Sequence, residues 1–135
     1  MTPQEIVARM MDRDAFSRWL GIRVDAVEEG SCTLSMTVRA DMLNGFDIAH
    51  GAITYAIADS ALAFASNSRG RRAVSIETAI NHLEPLHEGD RITAVAREDA
   101  VRDKLGCYSI DVRLGERLVA RFKGTVYRTA QAWEA

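Results

Sequence analysis

Seventeen residues, GAITYAIADSALAFASN from Gly51 to Asn67, constrain the fold more than any other stretch of the chain. They carry the composition and length of a helix, and eleven of the seventeen are Ala, Ile, Leu, Phe or Tyr. A helix that is apolar all round has no face to turn to water, so the rest of the molecule must enclose it. Asp59 interrupts the run near its middle. A carboxylate at such a place costs on the order of several kcal/mol unless it is paired, hydrated or used. The run is also at the lower edge of the length needed to cross a bilayer, and the acid argues against that use. A buried helix in a soluble domain is the better reading.

The flanking sequence supplies the enclosure. Thr2-Pro3-Gln4-Glu5 reads as a capped helix start with proline at the first helical position. Ile6, Val7, Met10, Met11, Trp19 and Leu20 continue a broken apolar stripe, interrupted near Asp12–Asp14 and ended by Gly21. Ile22, Val24 and Ala26 then alternate with Arg23 and Asp25, and Cys32, Leu34, Met36 and Val38 alternate with polar neighbours. After the helix come four more strand-like runs: Val74–Ile80, Ile92–Glu98, Tyr108–Leu114 and Leu118–Tyr127. Pro85, the HEGD turn at 87–90, Arg102-Asp103-Lys104 and Gly115-Glu116 separate them. The order predicts an α+β chain: an N-terminal helix, one or two strands, the long helix, then an antiparallel meander of about four strands. The simplest enclosure is a curved antiparallel sheet wrapped around the central helix, the hotdog arrangement. With 135 residues and no linker or internal repeat, the chain is expected to be one domain, residues 1–135.

Several function classes are disfavoured. A net charge of −2 supplies no basic field for nucleic acid or an anionic membrane surface. Met1–Glu5 carries an acid and no positive lead-in to an apolar stretch, so a cytoplasmic location is expected. Cys32 and Cys107 lack CxxC spacing and read as reduced thiols in strands. His82 and His87 lack the companions of a metal site, and no metal or cofactor is expected.

LNG at 43–45, AHGA at 49–52, ADSALAFASN at 58–67 and AVSIETAINHLEP at 73–85 together resemble the hotdog thioesterases of the phenylacetate-degradation (PaaI) type. The likeness runs from about Leu20 to Arg128. It implies hydrolysis of an acyl-CoA thioester, with the acyl-CoA as substrate rather than bound cofactor. It also implies dimers with shared sites, commonly paired into tetramers. On this match Gly51 supplies the N–H that binds the thioester oxygen. Asn44 and His50 shape that entrance, His50 orienting the loop rather than moving a proton. Asp59 is the nucleophile or general base, and Ser75 holds the attacking water. Two positions depart from the family pattern. Ala52 stands where a second glycine is usual, and Glu84 stands where an arginine often precedes the proline. The first narrows the approach to Gly51; the second weakens a claim that this position binds CoA phosphates. Arg69, Arg71, Arg72, Arg102 and Lys104 are the remaining candidates for those phosphates, although exposed loop arginines are common. Phe16, Trp19, Tyr55 and Phe64 read as core or acyl-pocket wall.

Helix geometry adds a constraint. Gly51 lies at a helix start, where unpaired N–H groups and the dipole favour an oxyanion. Asp59 is eight residues on, about 12 Å along the axis at 1.5 Å per residue. One carbonyl cannot touch both, so the two residues are expected to meet across a two-fold interface. Aryl-acetyl groups such as phenylacetyl or hydroxyphenylacetyl are the substrates the resemblance suggests, with medium-chain acyl groups as the alternative. Acyl dehydration needs a histidine and an acid converging on one carbon, which the separation of His50 and Asp59 on one helix disfavours. A non-catalytic acyl-CoA-binding module is disfavoured by retention of both Asp59 and Gly51.

Overall fold

Thr2 caps the first helix through a reciprocal capping box with Glu5, and helix α1 runs Pro3–Arg13. Asp14 ends it and caps the next, α2, Ala15–Leu20. The interruption expected near Asp12–Asp14 is therefore a change of helix. Gly21, at φ 76°, closes α2 in the left-handed conformation that glycine adopts without strain. The computed structural model describes residues 1–135.

Six strands follow in one antiparallel sheet: β1 Arg23–Glu28, β2 Ser31–Thr37, β3 Arg71–His82, β4 Arg91–Val101, β5 Leu105–Leu114 and β6 Arg117–Ala132. Helix α3, Gly51–Asn67, lies between β2 and β3 in sequence. The sheet wraps it: Ile57, Ala58, Ala61, Phe64 and Ala65 are fully buried against residues of every strand layer, including Leu34, Ile92, Ile110 and Phe122. Each large side chain buried in this way contributes about 1.5–3 kcal/mol. Gly124 of β6 sets how closely the helix seats. A Cβ there would come within 2.5 Å of Leu62 Cδ2. The hotdog architecture expected from the apolar helix is the one observed.

The strand order differs in one respect from a simple meander. It is β1-β2-β4-β5-β6-β3, so β3 crosses to the far edge and pairs with β6, not with β4. Only β4, β5 and β6 form hairpins in succession.

Two strands also carry their apolar residues differently from the plain alternation. In β1 the register shifts between Val24 and Ala26, which leaves both of these exposed and turns Val27 inward. In β3 it shifts between Ser75 and Glu77. Ala73 is then buried before the bulge and Thr78 and Ile80 are half-buried after it, while Ser75 stays exposed on the wall of a cleft. Val74 and Ile76 are 58% and 59% exposed on the sheet's open edge. A bulge adds one residue and so reverses every side chain beyond it.

The aromatics divide likewise. Phe64 is core, and Tyr55 packs edge-on to Phe122 at 5.2 Å while its hydroxyl bonds Thr78. Phe16 and Trp19 are not core. They are 56% and 47% exposed, stacked on each other, with the Arg39 guanidinium 4.9 Å above the indole. Cys32 is buried, and burial together with the nearby Asp25 pushes its thiol up to about 12; Cys107 is exposed, and neither is in a disulfide. No helix is long and apolar enough to cross a membrane.

Candidate active site

The segment before α3 folds back on itself around Asn44. Its Oδ1 accepts from the N–H groups of Phe46 (2.8 Å) and Ile48 (3.4 Å), and Leu43 bridges to Ala49. This is the side-chain turn that asparagine forms readily, and it carries Asp47 into the left-handed region at φ 60°. The His50 N–H bonds Met42 O at 2.9 Å and sets the direction in which the helix leaves the loop.

His50 is the N-cap of α3. Its Nδ1 accepts from Ala52 N–H at 3.1 Å and its carbonyl accepts from Ile53 N–H at 2.8 Å. An imidazole that accepts at Nδ1 holds the helix start in place. The remaining amide of that first turn, Gly51 N–H, has no acceptor in the protein. It stands at the positive end of a seventeen-residue helix.

Gly51 and Asn44 line one cleft, of about 310 Å³, with Thr54, His82, Glu84 and Leu86 among its other walls. His82, an isolated histidine without metal-ligand spacing in the sequence, stands in the same cleft. Its ring stands over the helix start: a Cβ at Gly51 would lie 3.3 Å from His82 Nε2. Glu84, on the wall of the same cleft, pairs with Arg117 at 3.6 Å.

Asp59 lies elsewhere. With Ser75, Leu62, Ala63, Ser66, Val74 and Val126 it lines a second cleft of about 250 Å³. The bulge in β3 is what brings Ser75 round to this side. No cation or hydrogen-bond donor of the chain reaches the Asp59 carboxylate. Burial, and secondarily the negative Asp14, hold its pKa above the usual carboxylate range. Asp14, a second residue that sequence reasoning overlooked, is fixed by Ser17, whose N–H and hydroxyl bond its two oxygens at 2.9 and 2.6 Å. The Ser17 hydroxyl continues to Ser60 Oγ at 2.8 Å, beside Asp59 in the chain. The signal for Asp14 was its place as a helix cap.

Of the five candidate residues, the chain thus brings together Asn44 with Gly51 and Ser75 with Asp59, and uses His50 as a cap between them. The candidate phosphate ligands are largely committed within the chain. Arg69 is paired with Glu98 and with Glu29, Arg71 with Asp103, and Arg72 lies over the Trp133 ring. Arg102 bonds the carbonyl of Val101.

The arrangement offers a polarising amide in one cleft and a base in another, the requirements of acyl transfer to water. Residues 46–120 match the thioesterase superfamily. The acyl-coenzyme A thioesterase PaaI of Escherichia coli is 38% identical over 120 residues, 88% of this chain and 86% of that protein. The solved structure of the E. coli PaaI protein from the phenylacetic acid degradation operon superposes with a TM-score of 0.94 at 34% identity, covering 96% of this chain and 95% of that one. A Thermus thermophilus protein, TT0310, superposes at 0.85 with 40% identity, over 87% and 99% of the two chains. The chain belongs to the thioesterase superfamily, as a hotdog-fold thioester hydrolase of the PaaI type.

Proposed function

We propose that the protein hydrolyses acyl-CoA thioesters, with aryl-acetyl groups such as phenylacetyl or hydroxyphenylacetyl as its preferred acyl class. The site is shared between two subunits. Gly51 N–H of one subunit polarises the thioester carbonyl, Asn44 and His50 hold the loop that presents it, and Asp59 of the partner subunit attacks the carbon or takes the proton of a water. Ser75 of the partner subunit holds that water. The observation that carries this reading is the pair of unmatched groups on α3: an amide with no acceptor and a carboxylate with no donor, opening into different clefts of one chain.

The edge of the sheet supports the shared site. β3 is unpaired along its outer side, and it exposes Val74 and Ile76 beside the Asp59 cleft. An exposed apolar edge strand is a surface for another chain. A second subunit seated there would bring its own helix start toward Asp59. The dimer is the unit this requires, and pairing of dimers into a tetramer is compatible with it. The PaaI relative's name supplies the acyl-CoA class, and the operon in which the E. coli protein is found supplies the aryl-acetyl preference. A cytoplasmic, reducing compartment suits the two unpaired thiols.

The test is release of free thiol from a panel of phenylacetyl-, hydroxyphenylacetyl- and medium-chain acyl-CoAs, with wild type and Asp59→Asn. The expected result is the highest kcat/KM on the aryl-acetyl members, with the Asn variant inactive on all. A higher kcat/KM on the alkyl chains would replace the acyl assignment, and an active Asn variant would remove Asp59 from the chemistry.

A further inference from the structure

We infer that His82 is a catalytic residue of this enzyme, a second hydrogen-bond donor to the thioester oxygen beside Gly51 N–H. This rests on the reading of Gly51 as the carbonyl-polarising group and deepens it. The last residue of β3, His82 pairs in the ladder with Ala120 of β6, which anchors its backbone. Its side chain is exposed to the cleft that Gly51 and Asn44 line. Nε2 lies 3.3 Å from where a Cβ of residue 51 would stand, so the missing side chain at Gly51 is what admits the ring. Neither imidazole nitrogen bonds another group of the protein, in contrast with His50, whose Nδ1 is spent on Ala52 N–H.

A neutral imidazole carries one N–H, and its cation carries two, so a donor is available in either form. When water adds to the thioester carbon, negative charge gathers on the carbonyl oxygen. The added water loses its proton to Asp59 of the partner subunit. The carbon–sulfur bond then breaks, and the departing thiolate takes up a proton, giving free acid and thiol. His82 forms no bond in this sequence. It donates to the oxygen while that oxygen is most negative, together with the Gly51 amide. Two donors converging on one oxygen stabilise the charged intermediate more than the neutral ground state, which raises kcat rather than lowering KM. Glu84, two residues on and also lining this cleft, is paired with Arg117 at 3.6 Å, so its charge is partly neutralised.

The test compares His82→Phe, which keeps a flat ring without a donor, with His82→Gln, whose amide nitrogen reaches a similar position. Each is assayed on the best acyl-CoA of the panel and on the S-phenyl thioester of the same acid, whose thiolate leaves without needing a proton. Removal of one oxyanion donor typically costs about 10²-fold in kcat. His82→Phe is expected to show that loss with KM nearly unchanged and with wild-type melting, equally on both thioesters. His82→Gln is expected to recover most of it. Wild-type kcat in His82→Phe would overturn the proposal, as would a Gln variant as slow as the Phe variant. A loss confined to the CoA ester would assign His82 to the leaving thiolate and also overturn it. Asp59→Asn serves as the reference for the underlying site. If it is inactive while His82→Phe is not, only the His82 assignment falls; if it is active, the reading of the site falls first.

Discussion

The two clefts beside α3 are built from opposite chemistry. At the helix start, donors gather: Gly51 N–H without an acceptor, His82 over it, and Asn44 on the neighbouring wall. The only acid there, Glu84, is already paired with Arg117. Two turns further on, the second cleft holds an unpaired carboxylate, a hydroxyl from Ser75 and apolar walls, and the charge that raises the Asp59 pKa beside burial is another acid, Asp14. The first cleft is suited to receive negative charge and the second to supply a base. Neither is complete alone, and a rigid helix keeps them about 12 Å apart in one chain. The contrast teaches that, on the proposed shared site, the spacing within the helix rather than any extra interface motif is what would call for a second subunit.

Breaking one half should be the largest effect. Asp59→Asn is expected to lower kcat by about 10²–10⁴-fold, the usual worth of a positioned base, in a thiol-release assay. Next in size is the interface. Val74→Asp combined with Ile76→Lys should yield monomers by light scattering, with activity falling in proportion to the monomer fraction, because neither subunit then has both halves. A dimer that survives with full activity would place the partner elsewhere. The halves can also be recombined. Asp59→Asn and Gly51→Pro subunits, each inactive, form heterodimers with one intact site of two. Random exchange makes half the dimers heterodimers, so about a quarter of wild-type activity should return.

The smallest effects are electrostatic. Asp14→Asn keeps the cap of α2 but removes the like charge near Asp59, so the Asp59 pKa should fall. The acid limb of the kcat/KM profile should move to lower pH, while its alkaline side stays. The same raised pKa bears on stability. Below the ordinary carboxylate range Asp59 is protonated in both folded and unfolded chains and costs nothing. As pH rises toward and through its raised folded value, the ionised form is increasingly disfavoured in the folded state. The melting advantage of Asp59→Asn over wild type should therefore be absent in acid, grow across that window and level off above it.

The core of this design is legible in the residues. GAITYAIADSALAFASN announces an enclosed helix by its composition and its start by Gly51, and the acid within it marks where the proposed function is sought. What eluded sequence reasoning has a common cause in the sheet. A register shift inside β1 exposes Val24 and Ala26, and another inside β3 exposes Ile76 and turns Ser75 toward the helix. Alternation along one strand cannot reveal a bulge, because the bulge is a property of the pairing. The placement of His82 is hidden from the sequence for a related reason. Its neighbour in chemistry is Gly51, thirty-one positions earlier, and only the packing of β3 against the start of α3 brings them together. Phe16 and Trp19 show the reverse case, apolar residues whose periodicity suits a core but whose short helix lies at the surface.

The crossing of β3 to the sheet's far edge also orders events during synthesis. Helix α3 and β3 are complete by residue 82, yet the strand that β3 pairs with ends at residue 132, with Ala73 matched to Arg128. Until β6 emerges, β3 has no partner in its own chain, and Val74 and Ile76 are exposed beside two unpaired edges. The closing contact is thus among the last made and spans a long loop, which slows folding relative to a plain meander. During that interval a neighbouring nascent chain presents the same free edge, so the edge proposed as the subunit interface is also a point of risk for mispairing.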